Sequence, residues 1–311
     1  MANYRHILVV ADPHQDEQPA LSRACHLAQK TGARLTLFLS IYDFSYEMTT
    51  MLSGEEREAM RKGVISQREE WLEELAGPYR KKGCKLDLKV VWHNRPFESI
   101  IREVLDGDYD AVFKSTHEHH KLRAVIFTPT DWHLMRKCPV PVLLVKEHEW
   151  PAGGNVLAAI NCGSEDEAHQ DLNNVTTEEA LALAKEIDGN VHLVNAYPGT
   201  PVNIAIEIPE FDPHAYTEAM RNHHLNQARA HAQKYGIEES KVHVYEGLPE
   251  DVLPRVADDI DAELVVIGTV GRTGISAALI GNTAEHVIDR LASDVLAIKP
   301  RDFVSPLAKE D

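Results

Sequence analysis

The chain contains no run of about 20 apolar residues, the length a helix needs to cross a bilayer, so no membrane insertion is expected. Nor is a secretory leader expected. The first residues pass directly into the apolar stretch 7–10, without a cationic segment, a long apolar run and a small-residue cleavage site. Positive charge is scarce: 32 Lys and Arg stand against 49 Asp and Glu, a net −17 with histidine neutral. That balance argues against a nucleic-acid binder, which needs a basic face for phosphates, and against binding to anionic membranes. The four cysteines, Cys25, Cys84, Cys138 and Cys162, lie far apart and form no CxxC pair, which excludes a zinc knuckle and a dithiol redox motif. Together these absences describe a soluble, acidic, reduced, cytoplasmic protein.

What is present is a duplication. A length of 311 residues suggests two domains at about 150 residues each. Residues 91–96 sit over residues 244–249 at an offset of 153, and the register holds without a gap through Lys146 over Lys299. Along it Val112 meets Val265, Thr116 meets Thr269 and His133 meets His286. Each half opens with a short apolar run, 7–10 and 156–160, suited to a buried strand. Amphipathic or polar helical stretches then alternate with further short strands, ending at 142–145 and 295–298. In both halves a helix follows a proline, Pro96 and Pro249, as expected at a first helical turn. Alternating strands and helices predict an α/β fold with a parallel sheet covered on both faces. Trp150-Pro151 and Gly153-Gly154 mark the linker, giving domains 1–149 and 150–311, and residues 300–311 read as a disordered acidic tail.

The strongest local signal is Gly268-x2-Gly271-Arg272-x-Gly274, followed by Gly281-Asn282-Thr283. It follows the apolar run ending at Ile267, so its first glycine lies at the carboxyl end of a strand. In an open parallel sheet that edge is where ligands bind. Glycines let backbone approach a phosphate, successive N–H groups cradle anionic oxygens, and the helix expected after Gly281 adds its N-terminus. Arg272 offers a charge-assisted contact. The loop is not a Walker A motif, because no GKS or GKT follows. Nor is it the dinucleotide fingerprint, which belongs after the first strand.

The spacing G-x2-G-x9-G with a small polar residue after it, together with Glu246-Gly247-x-Pro249, resembles the ATP-binding class of the universal stress protein family in its tandem-domain form. The resemblance spans essentially the whole chain. It implies two Rossmann-like domains of the adenine nucleotide alpha hydrolase type, each a five-stranded parallel sheet of order 3-2-1-4-5. It also implies a stress-response role, and ATP or AMP held in the C-terminal domain by Asn161, Ala196, Ile267, Gly268, Gly271, Arg272, Gly274, Gly281, Asn282 and Thr283. Asn161 stands where the family has an Asp, and Asn282 where it usually has Ser or Thr. Tandem members further imply that the two domains pack as an intramolecular pseudo-dimer through their last strands, with homodimerisation of the chain left open.

The first half has lost this motif. Ser115, Glu118, Lys121 and Thr128 replace Gly268, Gly271, Gly274 and Gly281, so no family-type nucleotide binding is expected there. It carries instead His117-Glu118-His119-His120, with His93 and His133 nearby in topology. Imidazoles and carboxylates suit zinc, with His117 and His119 the candidate ligands, but no HExxH or CxxC spacing supports them. A solvated polar loop is the other reading. A hydrolase using this cluster, or Ser115 with His117 and Asp131, lacks a G-x-S-x-G elbow. Residues 41–48 and 125–127 could line a cavity for an amphipathic ligand or simply pack the core. The proline-rich segment 198–213 could form a lid or a surface loop, and His214, His223, His224 and His231 read as a solvated helix face.

Overall fold

Short apolar runs become strands because burying both faces of an extended segment offsets the entropy of ordering it. In the N-terminal half, the computed structural model places β1 (His6–Val10), α1 (Pro19–Thr31), β2 (Arg34–Ile41), α2 (Gly54–Lys81), β3 (Lys85–Trp92), α3 (Pro96–Asp106) and β4 (Ala111–Ser115). Two short strands, β5 (His117–His119) and β6 (Ala124–Ile126), precede α4 (Pro129–Lys137) and β7 (Val142–Val145). The second half repeats the plan with β8 (Asn155–Ala159), α5 (Glu167–Glu186), β9 (Asn190–Tyr197), α6 (Pro213–Tyr235) and β10 (Val242–Glu246). It closes with α7 (Pro249–Asp259), β11 (Ala262–Gly268), α8 (Asn282–Arg290) and β12 (Asp294–Ile298). The structure describes residues 4–43, 45, 52–119, 124–163, 166–199, 212–269 and 282–309.

Local chemistry sets the helix ends. Ser53 and Glu56 form a reciprocal capping box at the start of α2, and Gly32 closes α1 in the left-handed conformation. The expected prolines occupy the first turns of α3 and α7. Asp212 caps α6 by accepting the His214 and Ala215 N–H groups at 2.9 and 3.2 Å.

The chain divides into two units. One comprises residues 150–303; the other comprises residues 4–119, 126–149 and 304–309, among the described residues. All strand pairs within the two sheets are parallel among the described residues. The N-terminal sheet runs β3-β2-β1-β4-β7 and the C-terminal sheet runs β10-β9-β8-β11-β12, both 3-2-1-4-5 in local order. Several strands are buried residue after residue: Ile7, Leu8 and Val9 in β1, all of β7 and all of β12.

The duplication extends to individual hydrogen bonds. Thr116 donates from its N–H and its Oγ1 to the Val145 carbonyl, at 2.9 and 3.2 Å. Thr269 does the same to Ile298, at 3.0 and 3.1 Å. Lys146 and Lys299, one residue past those carbonyls, are both buried, their ammonium groups over the rings of Phe127 and Phe303.

Two expectations change. Residues 304–309 are not a free tail: Pro306–Lys309 form a 3-10 turn packed on α3, with Ser305 and Leu307 buried. A single apolar residue, Leu307, anchors a segment whose composition reads as disordered. Nor is the chain fully reduced, because Cys25 on α1 is bonded to Cys84, just before β3, with Cα atoms 6.0 Å apart. Cys138 and Cys162 are free thiols.

That bond closes a loop across a sequence separation of 59, for which the chain-entropy relation gives an upper figure of about 4 kcal/mol of stabilisation. Alkylation under non-reducing denaturing conditions is expected to label two cysteines, and all four after reduction. The Cys25→Ser/Cys84→Ser variant is expected to unfold at lower urea concentration than the oxidised protein, with a midpoint that reductant no longer shifts.

Candidate functional site

The C-terminal chain runs outward from β8 through β9 to β10, then returns to β11 on the other side of β8. The carboxyl ends of β8 and β11 therefore flank a point where strand order reverses, and the connections leaving them must diverge and open a crevice. Asn161 lies just past β8, Ala196 near the end of β9, and Ile267 and Gly268 end β11. Asn282 and Thr283 begin α8, the helix that follows β11. Gly271, Arg272, Gly274 and Gly281 lie outside the described residues, as does most of the candidate lid.

The floor of this edge is organised by Asn195, a buried amide that sequence reading passed over. Its Oδ1 accepts the Cys162 N–H at 3.1 Å, which ties the end of β8 to β9, and its Nδ2 donates to the Ala196 carbonyl at 2.8 Å. Asn161 shapes the turn above. Its Oδ1 accepts the Gly163 N–H at 3.2 Å, while Asn173 of α5 exchanges two bonds with the Asn161 backbone at 2.8 and 2.9 Å. Gly163 is needed for close approach: a Cβ there would stand 2.5 Å from the His224 ring. Gly268 has a packing role of its own, because a Cβ at that position would meet Leu172 of α5 at 2.6 Å. Burial pushes the Cys162 thiol up to about 12, so it stays protonated at neutral pH and supplies no thiolate nucleophile.

The family profile described as the universal stress protein family matches residues 3–146 and 168–299. The chain belongs to the universal stress protein family. It is 55 % identical over 312 residues to universal stress protein E of Escherichia coli K12, covering 100 % of this chain and 99 % of that one. It is 44 % identical to the universal stress protein E homolog of Haemophilus influenzae, with 96 % and 98 % coverage. Among solved structures, a functionally unknown Pseudomonas aeruginosa protein, PA1789, aligns with TM-score 0.74 and 31 % identity over 96 % of this chain and 94 % of that one. A universal stress protein from Archaeoglobus fulgidus shares the fold at TM-score 0.64 and 16 % identity, with 96 % and 98 % coverage.

In this universal stress protein the histidines of α6 are not one solvated face. His214 and His223 are exposed, but His224 is buried and His231 is largely enclosed. His224 Nδ1 lies 3.1 Å from Asn195 Oδ1, and its ring stacks on Tyr197 at 5.1 Å. His231 Nε2 lies 2.8 Å from Thr177 Oγ1 of α5. The inner stripe of α6 is His224, Ala228, His231, Ala232 and Tyr235, at helical spacing. Alanines leave room for imidazoles, so the stripe carries little hydrophobic contrast and reads as polar in sequence.

The N-terminal unit fills the corresponding edge with its own side chains. Ser115 Oγ accepts the Ala20 N–H of α1 at 3.0 Å. Asp131 Oδ2 accepts the Thr128 N–H and hydroxyl at 2.7 and 2.8 Å, and Lys114 Nζ lies 2.8 Å from Asp131 Oδ1. His133 stacks on Phe97 at 4.0 Å, and His93 Nδ1 meets the Arg95 N–H at 3.0 Å, so both have partners in the fold. His117 and His119 lie on β5, where side chains fall outside the description. Among the described residues no three His, Cys, Asp or Glu side chains group as a metal site.

Burial holds His224 and His231 below the usual histidine range, His231 at about 4, with the neighbouring His223 and Lys234 acting in the same direction. For such a group the unfolded chain binds the extra proton, so its contribution is complete above about pH 6.5 and is lost as pH falls toward 4. The urea midpoint is expected to drop between pH 7.5 and pH 5, and His231→Gln is expected to reduce that drop. An unchanged pH dependence in the variant would show that His231 is not a source of it.

Proposed function

We propose that the C-terminal unit binds an adenine nucleotide, ATP or AMP, and that the protein is a cytoplasmic regulatory component of the stress response. The observation that carries this reading is the convergence of Asn161, Ala196, Gly268 and the start of α8 on one sheet edge at the strand-order reversal, in a chain that carries G-x2-G-x9-G between β11 and α8. Asn161 and Ala196 would face the nucleoside. Backbone amides from Gly271 to Thr283 would hold the phosphates, with Arg272 and the Asn282 amide assisting.

The chemistry of the described edge favours binding over turnover. Asn161 and Asn195 are uncharged, Cys162 is a protonated thiol, and His224 is committed to Asn195 and Tyr197. None of them is a ready general base. The N-terminal unit takes no nucleotide in this manner, because Ser115, Glu118, Lys121 and Thr128 stand in its sequence where the C-terminal motif has glycine.

Small molecules released by denaturing freshly purified protein are expected to include ATP or AMP at about one per chain, by mass spectrometry. Gly271→Glu, which copies the N-terminal residue Glu118, is expected to abolish nucleotide binding while the circular dichroism spectrum stays unchanged. A folded Gly271→Glu protein that binds ATP as tightly as the parent would overturn the assignment, as would a parent protein that neither carries nor takes up nucleotide.

A further inference from the structure

The offset of 153 pairs Lys114, Ser115, Thr128 and Asp131 with Ile267, Gly268, Gly281 and Ala284. In the C-terminal unit these four positions hold an aliphatic residue, two glycines and an alanine. In the N-terminal unit they hold a cation, two hydroxyls and a carboxylate, and the structure joins three of them in one buried network. The Asp131 side chain is 0 % exposed and the Lys114 side chain 11 %. One carboxylate oxygen meets the Lys114 ammonium at 2.8 Å; the other takes both the backbone N–H and the hydroxyl of Thr128, the residue before α4. Lys114 also donates to the Ser115 carbonyl at 2.9 Å, and the Ser115 hydroxyl holds the start of α1.

A carboxylate and an ammonium are costly to take out of water, and a buried pair of this kind gains little over an apolar pair of the same volume. The Thr128–Asp131 contacts are the capping box of α4, which needs no buried cation beside it, so the cap does not account for Lys114. What the pair does is place a negative charge at the start of α4 with a cation opposite, which is the charge arrangement of a phosphate on a helix N-terminus beside a basic side chain. We propose that the N-terminal unit is self-liganded: the Asp131 carboxylate, countered by Lys114, occupies the place that a nucleotide phosphate takes in the C-terminal unit. Nucleotide is then excluded by occupation and by charge, with Lys114 and Asp131 adding to the loss of the motif glycines. The comparison between halves rests on the nucleotide reading above, whereas the ion-pair argument belongs to the N-terminal unit alone.

Removing the carboxylate leaves a buried ammonium and a Thr128 N–H with no acceptor, a combination that recruits a small anion. The test uses the full chain and inorganic phosphate as probe. Asp131→Ala is expected to melt below the parent in sodium chloride and to regain about 3 °C or more when phosphate replaces chloride at equal ionic strength. The parent and the Lys114→Met/Asp131→Ala double variant are expected to gain less, only what phosphate gives through general exclusion from protein surface and through the C-terminal unit. Asp131→Ser likewise removes the carboxylate and vacates its place, with a small polar side chain left at the start of α4, so it serves as a second variant should Asp131→Ala fail to fold. A phosphate gain in the two single variants no larger than the parent's would overturn the proposal, as would an extra gain that survives loss of Lys114. A phosphate response in the Asp131 variants of a protein that carries no nucleotide would leave this proposal standing and remove only the nucleotide reading.

Discussion

Leu8, Val112 and Leu143 sit on neighbouring strands with water excluded from both faces of the sheet, and Leu157, Val265 and Leu296 do the same in the second unit. An all-parallel sheet built from strand–helix crossovers has no solvated face. The strand ends, where backbone groups leave the ladder and helices begin, are where the sheet offers room for polar chemistry. Among the described residues, the candidate nucleotide contacts Asn161, Ala196, Ile267 and Gly268 lie at or just beyond such an end. The same geometry explains why buried polar groups such as Asn195, Asp131 and Lys146 are found at or just past the carboxyl ends of strands or at the start of a helix. There each can reach a backbone partner or a countercharge.

Duplication followed by divergence is visible at atomic detail. The Thr116–Val145 and Thr269–Ile298 pairs keep the same two hydrogen bonds, because they close a β-ladder that both units need. A few residues away the halves part. Ser115 spends its hydroxyl on α1, whereas Gly268 leaves its space to Leu172 of α5. Framework contacts tolerate little change since each closes a buried backbone group, while edge residues vary with whatever the edge must hold.

The candidate edge of the C-terminal unit is built as much from α5 and α6 as from the strands. Asn173 and Leu172 come from α5, His224 from α6, and Asn195 links β8, β9 and His224. These residues position the turn after β8 and the carbonyl of Ala196. No short motif announces them, since their roles depend on helices that cross the sheet tens of residues away in sequence.

The sequence by itself determined the α/β class, the strand order implied by the family motif, the repeat and its 153-residue register, and the glycine-bearing edge. Each of these rests on local chemistry, namely apolar runs, first-turn prolines and glycine spacing, which act over a few residues. It also identified the family, because the motif glycines stand at a fixed spacing behind a strand. Tertiary structure alone decided the pairing of Cys25 with Cys84, the docking of residues 304–309 on α3, the burial of His224 and His231, and the ion pair between Lys114 and Asp131. In each case the partner is supplied by another element or lies across a loop. A histidine on an alanine-spaced helix face, or a lysine at the end of a strand, reads as solvated until the fold brings its partner against it and water is excluded.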